Sequence, residues 1–98
     1  MPATRDLTAS LARDVDGAFP ALVDQHLDGI YSGVRRLVPT AADAEDVTQE
    51  VFLRAYRALA GYDQERIAAL RIPGWLWTIA VNLCRNAART RSRRAVTV

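Results

Sequence analysis

Asp43-Ala-Glu-Asp-Val-Thr-Gln-Glu-Val-Phe-Leu-Arg-Ala-Tyr-Arg-Ala-Leu59 is the stretch whose reading decides the fold class. Unrolled at about 100° per residue, Val47, Val51, Phe52, Ala55, Ala58 and Leu59 fall in one broad arc. Asp46, Gln49, Glu50, Leu53, Tyr56 and Arg57 fall opposite. An apolar arc of that width marks an amphipathic helix with its back on a core. Thr40 and Asp43 precede the periodic stretch, and Asp43, Glu45 and Asp46 crowd its first turn, where carboxylates favour the positive end of the helix dipole. Gly61 offers a C′ stop. The predicted helix runs over 43–60.

Working outward, Phe19, Leu22, Val23, Leu27, Ile30, Val34 and Leu37 keep three-and-four spacing up to Pro39, which predicts a long helix over 18–38. Gly17 and Pro20 punctuate the chain before it. Leu7, Leu11 and Val15, four apart, predict a short helix over 7–16 with Asp6 near its cap. Gly29 and Gly33 form a GxxxG spacing, which in a soluble helix means close backbone packing or nothing. On the other side, residues 61–72 (GYDQERIAALRI) have mixed character and suit either a short turn of helix or an ordered loop. Pro73 fits the first position of a last helix over 73–91, beyond which SRRAVTV is expected to fray. No repeat or strand alternation is visible. The expected fold is all-α: a compact bundle of three main helices plus a short N-terminal helix.

A chain of 98 residues suits one domain. No apolar run approaches the roughly eighteen residues of a membrane span, and the N-terminus lacks the apolar centre of a signal peptide. Cys84 is the single cysteine and has no internal partner. These features point to the cytoplasm. The formal net charge of +2 hides an asymmetry. Residues 1–70 carry seven arginines against all eleven acids, whereas residues 71–98 carry six arginines and no acid. A basic end of this kind suits a polyanion. All thirteen cations are arginine. GC-rich codon usage accounts for that choice, but not for the segregation along the chain.

The polar side of 43–60 reads in two ways. A solvated face with i,i+4 ion pairs is the bland one. Leu53 and Tyr56, sizeable groups set among charges, suggest instead a helix-docking patch with an apolar centre. Its partner would offer basic side chains to Asp46 and Glu50. In the last helix, Leu76, Ile79, Ala80, Leu83 and Ala87 form the core arc. Thr78, Asn82, Arg85 and Arg89 align on the other side, flanked by Trp75 and Asn86. Arginines suit phosphates, asparagine amides suit base edges, and tryptophan offers a stacking platform for an unpaired base. The competing reading keeps Trp75 and Trp77 as core or boundary residues, and Arg91, Arg93 and Arg94 as a solvated tail. Trp77, Val81, Cys84 and Ala88 make a second apolar flank that packs on the first helices or on a further domain. Cys84 is expected to be a packing thiol and His26 an exposed, inert histidine. With no nucleophile–base pair and no metal cluster, an enzyme is the least expected class, and neither cofactor nor metal is expected. A helix-turn-helix reader of duplex DNA fits poorly, because its two helices need a shorter connection than 61–72. A protein-interaction module without DNA binding is the stronger alternative.

The run 43–59 resembles region 2.2 of extracytoplasmic-function (ECF) sigma factors, where an ADAEDxxQEVFxRAxRAL pattern is typical. Pro73-Gly-Trp-Leu-Trp-Thr-Ile-Ala-Val-Asn-Leu-Cys-Arg-Asn86 looks like regions 2.3 and 2.4, with a WLxxIAxN pattern and a basic segment. With FPALVDQHLDGIY the resemblance covers about residues 17–94, and a region 2 domain is expected over 1–94 with a frayed tail at 95–98. It implies a transcription initiation domain. Asp46, Gln49 and Glu50 match positions that contact the β′ clamp helices of core RNA polymerase, and Leu53, Tyr56 and Arg57 share that face. Asn82, Arg85, Asn86 and Arg89 match the segment that meets the non-template strand of the promoter −10 element. Trp75 and Trp77 match aromatic positions near the fork; Thr78, on the same helix, and Arg71 and Arg93, in the basic segment 71–98, are also expected to bind DNA. The family captures a flipped base in the loop before the last helix, here about Ile67–Ile72, where IAALRIPG replaces the usual aromatic pair and Arg71 is the one polar group. An anti-sigma factor is a common partner in the family, and the free domain is expected to be a monomer. Family members continue into a region 4 domain that reads the −35 element; no segment of these 98 residues matches it.

Overall fold

The computed structural model describes residues 4–97, with side chains from 6 to 93. Every regular element among them is a helix: α1 (Thr4–Arg13), α2 (Val15–Arg35), α3 (Ala41–Gly61), α4 (Gln64–Ala68) and α5 (Ile72–Thr97). The helix starts follow from short polar side chains. Asp14 Oδ1 accepts from the Gly17 amide at 3.1 Å, Thr40 Oγ1 from the Asp43 amide at 3.1 Å, and Asp63 Oδ1 from the Arg66 amide at 2.8 Å. Each cap satisfies one of the donors that a helix N-terminus leaves orphaned.

The expected break at Gly17 and Pro20 lies elsewhere. Asp14 is the boundary, and Pro20 sits inside α2. Proline there removes one bond to the Asp16 carbonyl, which lies on an exposed residue close to the helix end, where water can replace the partner. Gly17 is needed for a different reason: a Cβ at that position would collide with the capping Asp14 carboxylate. The stop expected at Gly61 also differs. No described residue has positive φ; α3 ends as Tyr62 turns extended and its amide bonds the Leu59 carbonyl at 3.2 Å. Within the mixed segment 61–72, Gln64–Ala68 folds as the short helix α4. The backbone of α5 is helical as far as Thr97, past the expected end near 91 and through the stretch expected to fray, except for residue 98, which lies outside the described residues.

α2, α3 and α5 pack on one another, while α1 lies against α2 and α4. Leu22, Val34, Val51, Ala55, Leu59, Ile72, Leu76 and Ala80 are almost wholly buried between them, and Leu7 and Leu11 close the α1 side. Burying a Leu or Ile stabilises by about 1.5–3 kcal/mol, so the 3.6-residue stripe of each helix supplies the drive for assembly. Several expected core residues sit nearer the surface. Leu27 and Leu37 are exposed, and Val47, Ala58, Ile79 and Ala87 are only half-buried. Ala44 and Thr48 take core places on α3 instead. The second apolar flank of α5 divides: Cys84 is buried, Val81 half-buried, and Ala88 and Trp77 exposed.

Candidate functional site

Two surfaces of the bundle carry the residues singled out above. On α3, Asp46, Gln49 and Arg57 are exposed and Glu50 is half-exposed, with Leu53 at 49% and Tyr56 at 39% exposure forming an apolar centre among them. Glu50 Oε1 lies 3.2 Å from Arg54 Nε, one turn on. Tyr56 is tied to the first half of the chain. Its ring meets Phe19 edge-on at 5.3 Å between centroids, and its hydroxyl donates to Asp16. That bond, together with the Asp16 charge, favours the protonated phenol and raises the Tyr56 pKa above its ordinary value. Asp16 thereby joins the acidic surface from α2, a contact across forty positions that helical periodicity does not reveal.

On α5 the two tryptophans diverge, as residues two apart on a helix must. Trp75 is half-buried and tilts against Tyr62, with ring centroids 6.3 Å apart, and the Arg66 guanidinium caps the Tyr62 ring at 3.9 Å from its centroid. Trp77 reaches the other way and lays its six-membered ring over Gly33 of α2. The GxxxG spacing therefore means close packing at Gly33 and open space at Gly29. Asn82, Arg85, Asn86, Arg89 and Arg93 are exposed, as is Arg71 at the start of the helix. Thr78 donates its hydroxyl hydrogen to the Gly74 carbonyl at 3.0 Å, so only its acceptor capacity faces outward.

A cleft of about 230 Å³ opens between α3 and α5, lined among others by Arg54, Tyr62, Trp75, Ile79, Asn82 and Asn86. It brings together three of the expected DNA-binding residues, Trp75, Asn82 and Asn86, while Trp77, Thr78, Arg85 and Arg89 lie outside it. Arg54 and Tyr62 are additions. The aromatic immediately after Gly61 was the available signal for Tyr62; nothing in the α3 periodicity points Arg54 toward α5. In the segment expected to hold a flipped base the two isoleucines are in the core, Ile67 at 2% and Ile72 at 0% exposure, while Ala68 and Ala69 are exposed and Leu70 is half-buried. The open space lies beside the two aromatics that bracket that segment, Tyr62 and Trp75.

His26 is not the exposed histidine expected. It is half-buried, its Nε2 is buried without a hydrogen-bond partner, and burial lowers its pKa. Cys84 is a buried free thiol whose pKa burial raises, against a weaker opposing effect of Arg91. Among the described residues no group of three His, Cys, Asp or Glu side chains is placed to hold a metal.

Comparison with known proteins gives this geometry a family. The model of sigma-70 region 2 matches residues 22–94. An ECF RNA polymerase sigma factor SigE of Mycolicibacterium smegmatis is 39% identical over 72 residues, 74% of this chain and 26% of that protein. The RNA polymerase sigma-H factor of Pseudomonas aeruginosa is 33% identical over 90 residues, 92% of this chain and 45% of that protein. The chain thus spans less than half the length of these curated relatives. Among solved structures, an engineered region 2 of sigmaE in complex with GTAAAA superposes with a TM-score of 0.75 at 33% identity, covering 95% of this chain and 93% of that one. Helical architecture, sequence motifs and relatives agree that the chain belongs to the sigma-70 region 2 family, on its ECF sigma factor branch.

Proposed function

We propose that this domain acts in bacterial transcription initiation, docking the β′ clamp helices of core RNA polymerase through the acidic face of α3 and holding the unpaired non-template strand of a promoter −10 element along α5. The observation that carries the reading is the α3–α5 cleft. Aromatic groups (Tyr62, Trp75) and side-chain amides (Asn82, Asn86) line one concavity beside the exposed arginines of a segment that contains no acid. The solved relative in complex with GTAAAA supports the same assignment. No catalytic step is involved, and the setting is cytoplasmic.

The mechanism is one of binding energy. Unstacking a base costs a few kcal/mol. Each base stacked on an aromatic side chain returns about 1–3 kcal/mol. Arg85 and Arg89 hold the strand in register through phosphates, and Asn82 and Asn86 read base edges. Because the gain and the cost are similar in size, the free domain binds an already single strand and depends on polymerase to keep a duplex open.

Fluorescence anisotropy with a labelled GTAAAA oligonucleotide tests the reading. The purified chain should bind it, and Arg85→Ala and Arg89→Ala should each lower the slope of log K against log salt by roughly 0.7. Asn82→Ala should change preference among oligonucleotide sequences more than overall affinity. Absence of binding overturns the DNA-binding assignment and leaves the protein-interaction module as the better description; binding with slopes unaltered in both arginine variants overturns the phosphate role of Arg85 and Arg89.

A further inference from the structure

Arg54 belongs to the helix that carries the polymerase-facing stripe, yet it lines the cleft on the α5 side. It is the one charged residue among those lining that cleft; the others are apolar, aromatic or amide-bearing. A strand entering the cleft therefore brings its phosphates toward a single guanidinium. That guanidinium is already engaged: its Nε lies 3.2 Å from Glu50 Oε1, in a pair whose side chains are 54% and 40% exposed. Glu50 in turn is one of the carboxylates assigned to the polymerase.

We propose that Arg54 is a nucleic-acid contact of the cleft and that the Arg54–Glu50 pair links the two interfaces. The inference rests on the reading given above. In the free domain Glu50 competes with phosphate for Arg54, because the pair occupies Nε, sets the direction of the guanidinium and offsets its charge. When a basic side chain of the polymerase takes Glu50, that competition ends and Arg54 turns to the strand. By linkage, a strand that takes Arg54 frees Glu50 for the polymerase by the same factor. The size of the effect is bounded by the strength of an exposed i,i+4 pair, so the coupling is about twofold, equivalent to about 0.4 kcal/mol. Arg54 as a phosphate contact has a larger effect of its own on affinity.

The test uses the chain as it stands and labelled GTAAAA as probe, with the wild type, Arg54→Gln, Glu50→Gln and the double variant. Both positions lie outside the core, and circular dichroism checks the fold of each variant. Arg54→Gln should weaken binding and lower the salt slope by roughly 0.7. Glu50→Gln, which imitates a carboxylate withdrawn by the polymerase, should tighten binding by about twofold where Arg54 is present and leave it unchanged where Arg54 is absent. A wild-type slope and affinity in Arg54→Gln overturns the contact. Equal tightening by Glu50→Gln in both backgrounds overturns the link, because the effect is then one of net charge. If the wild type binds and Arg85→Ala lowers the slope while Arg54→Gln changes nothing, this inference fails alone; if the wild type does not bind, the underlying DNA-binding reading fails as well.

Discussion

At Gly33 a Cβ would run into the six-membered ring of Trp77, whereas at Gly29, one turn earlier, it would meet open space. The two glycines look alike in the sequence, and both carry the usual entropic cost of glycine within a helix. Only at Gly33 does the lack of a side chain do something, by letting the exposed Trp77 lie on α2. Opposite signs are therefore expected for one chemical change. Gly33→Ala should destabilise the domain by about 1–3 kcal/mol through overpacking, and should free Trp77, which urea unfolding followed by tryptophan fluorescence would register. Gly29→Ala should stabilise by about 0.5–1 kcal/mol. Stabilisation by both substitutions would mean that Trp77 swings away at little cost and that Gly33 does not fix its position.

At the scale of elements, α3 contributes to both proposed interfaces, since its polar stripe faces outward while Arg54 lines the cleft. Replacing Asp46 and Glu50 together by alanine should leave the fold intact, as both lie outside the core. Affinity for a β′ clamp-helix fragment should fall by about tenfold, roughly 1.4 kcal/mol, in titration calorimetry; unchanged affinity in the folded double variant would sink the docking role. Much of this helix is legible in the sequence, because one apolar arc sets its orientation; of the two residues expected near its start Thr40 is the cap, so the helix begins at Ala41, two residues before the expected 43. The same periodicity, applied to α5, places Trp75, Asn82 and Asn86 close enough in angle to share a cleft. What escapes is of three kinds. The start of α2 was obscured by Pro20, a residue that breaks helices by default and is tolerated here beside a solvated carbonyl. The partners of Tyr56 and Trp77, namely Asp16 and Gly33, depend on how helices cross. Arg54 and Tyr62 enter the cleft only because α5 lies against the end of α3, and one helix read alone does not contain that information.

For the molecule as a whole, the segregation of charge bears on the proposed partners, while the shifted pKa values that link stability to pH belong to other groups. His26 and Tyr56 press on the folded state from opposite directions. Burial disfavours the imidazolium of His26, so its folded pKa lies below the ordinary 6.5. The stability tied to neutral His26 is present above that value and is lost as pH falls through the folded pKa. Tyr56 is shifted upward from 10.0 by its bond to Asp16 and by that carboxylate's charge. Its contribution is complete below the ordinary value and is lost as pH rises through the raised folded pKa. A stability plateau between these limits is expected, with an acid limb below the ordinary 6.5 of histidine. His26→Leu removes both the titration and the partnerless Nε2, so the limb just below neutrality should flatten. Tyr56→Phe should leave that limb alone and shrink the alkaline one, of which the part tied to the buried Cys84 thiol, whose pKa is also raised, remains. Urea midpoints measured from about pH 5 to pH 11 separate the two. An acid limb that persists unchanged in His26→Leu would assign it to the carboxylates, and would show that the domain accommodates a charged His26 by letting water reach it.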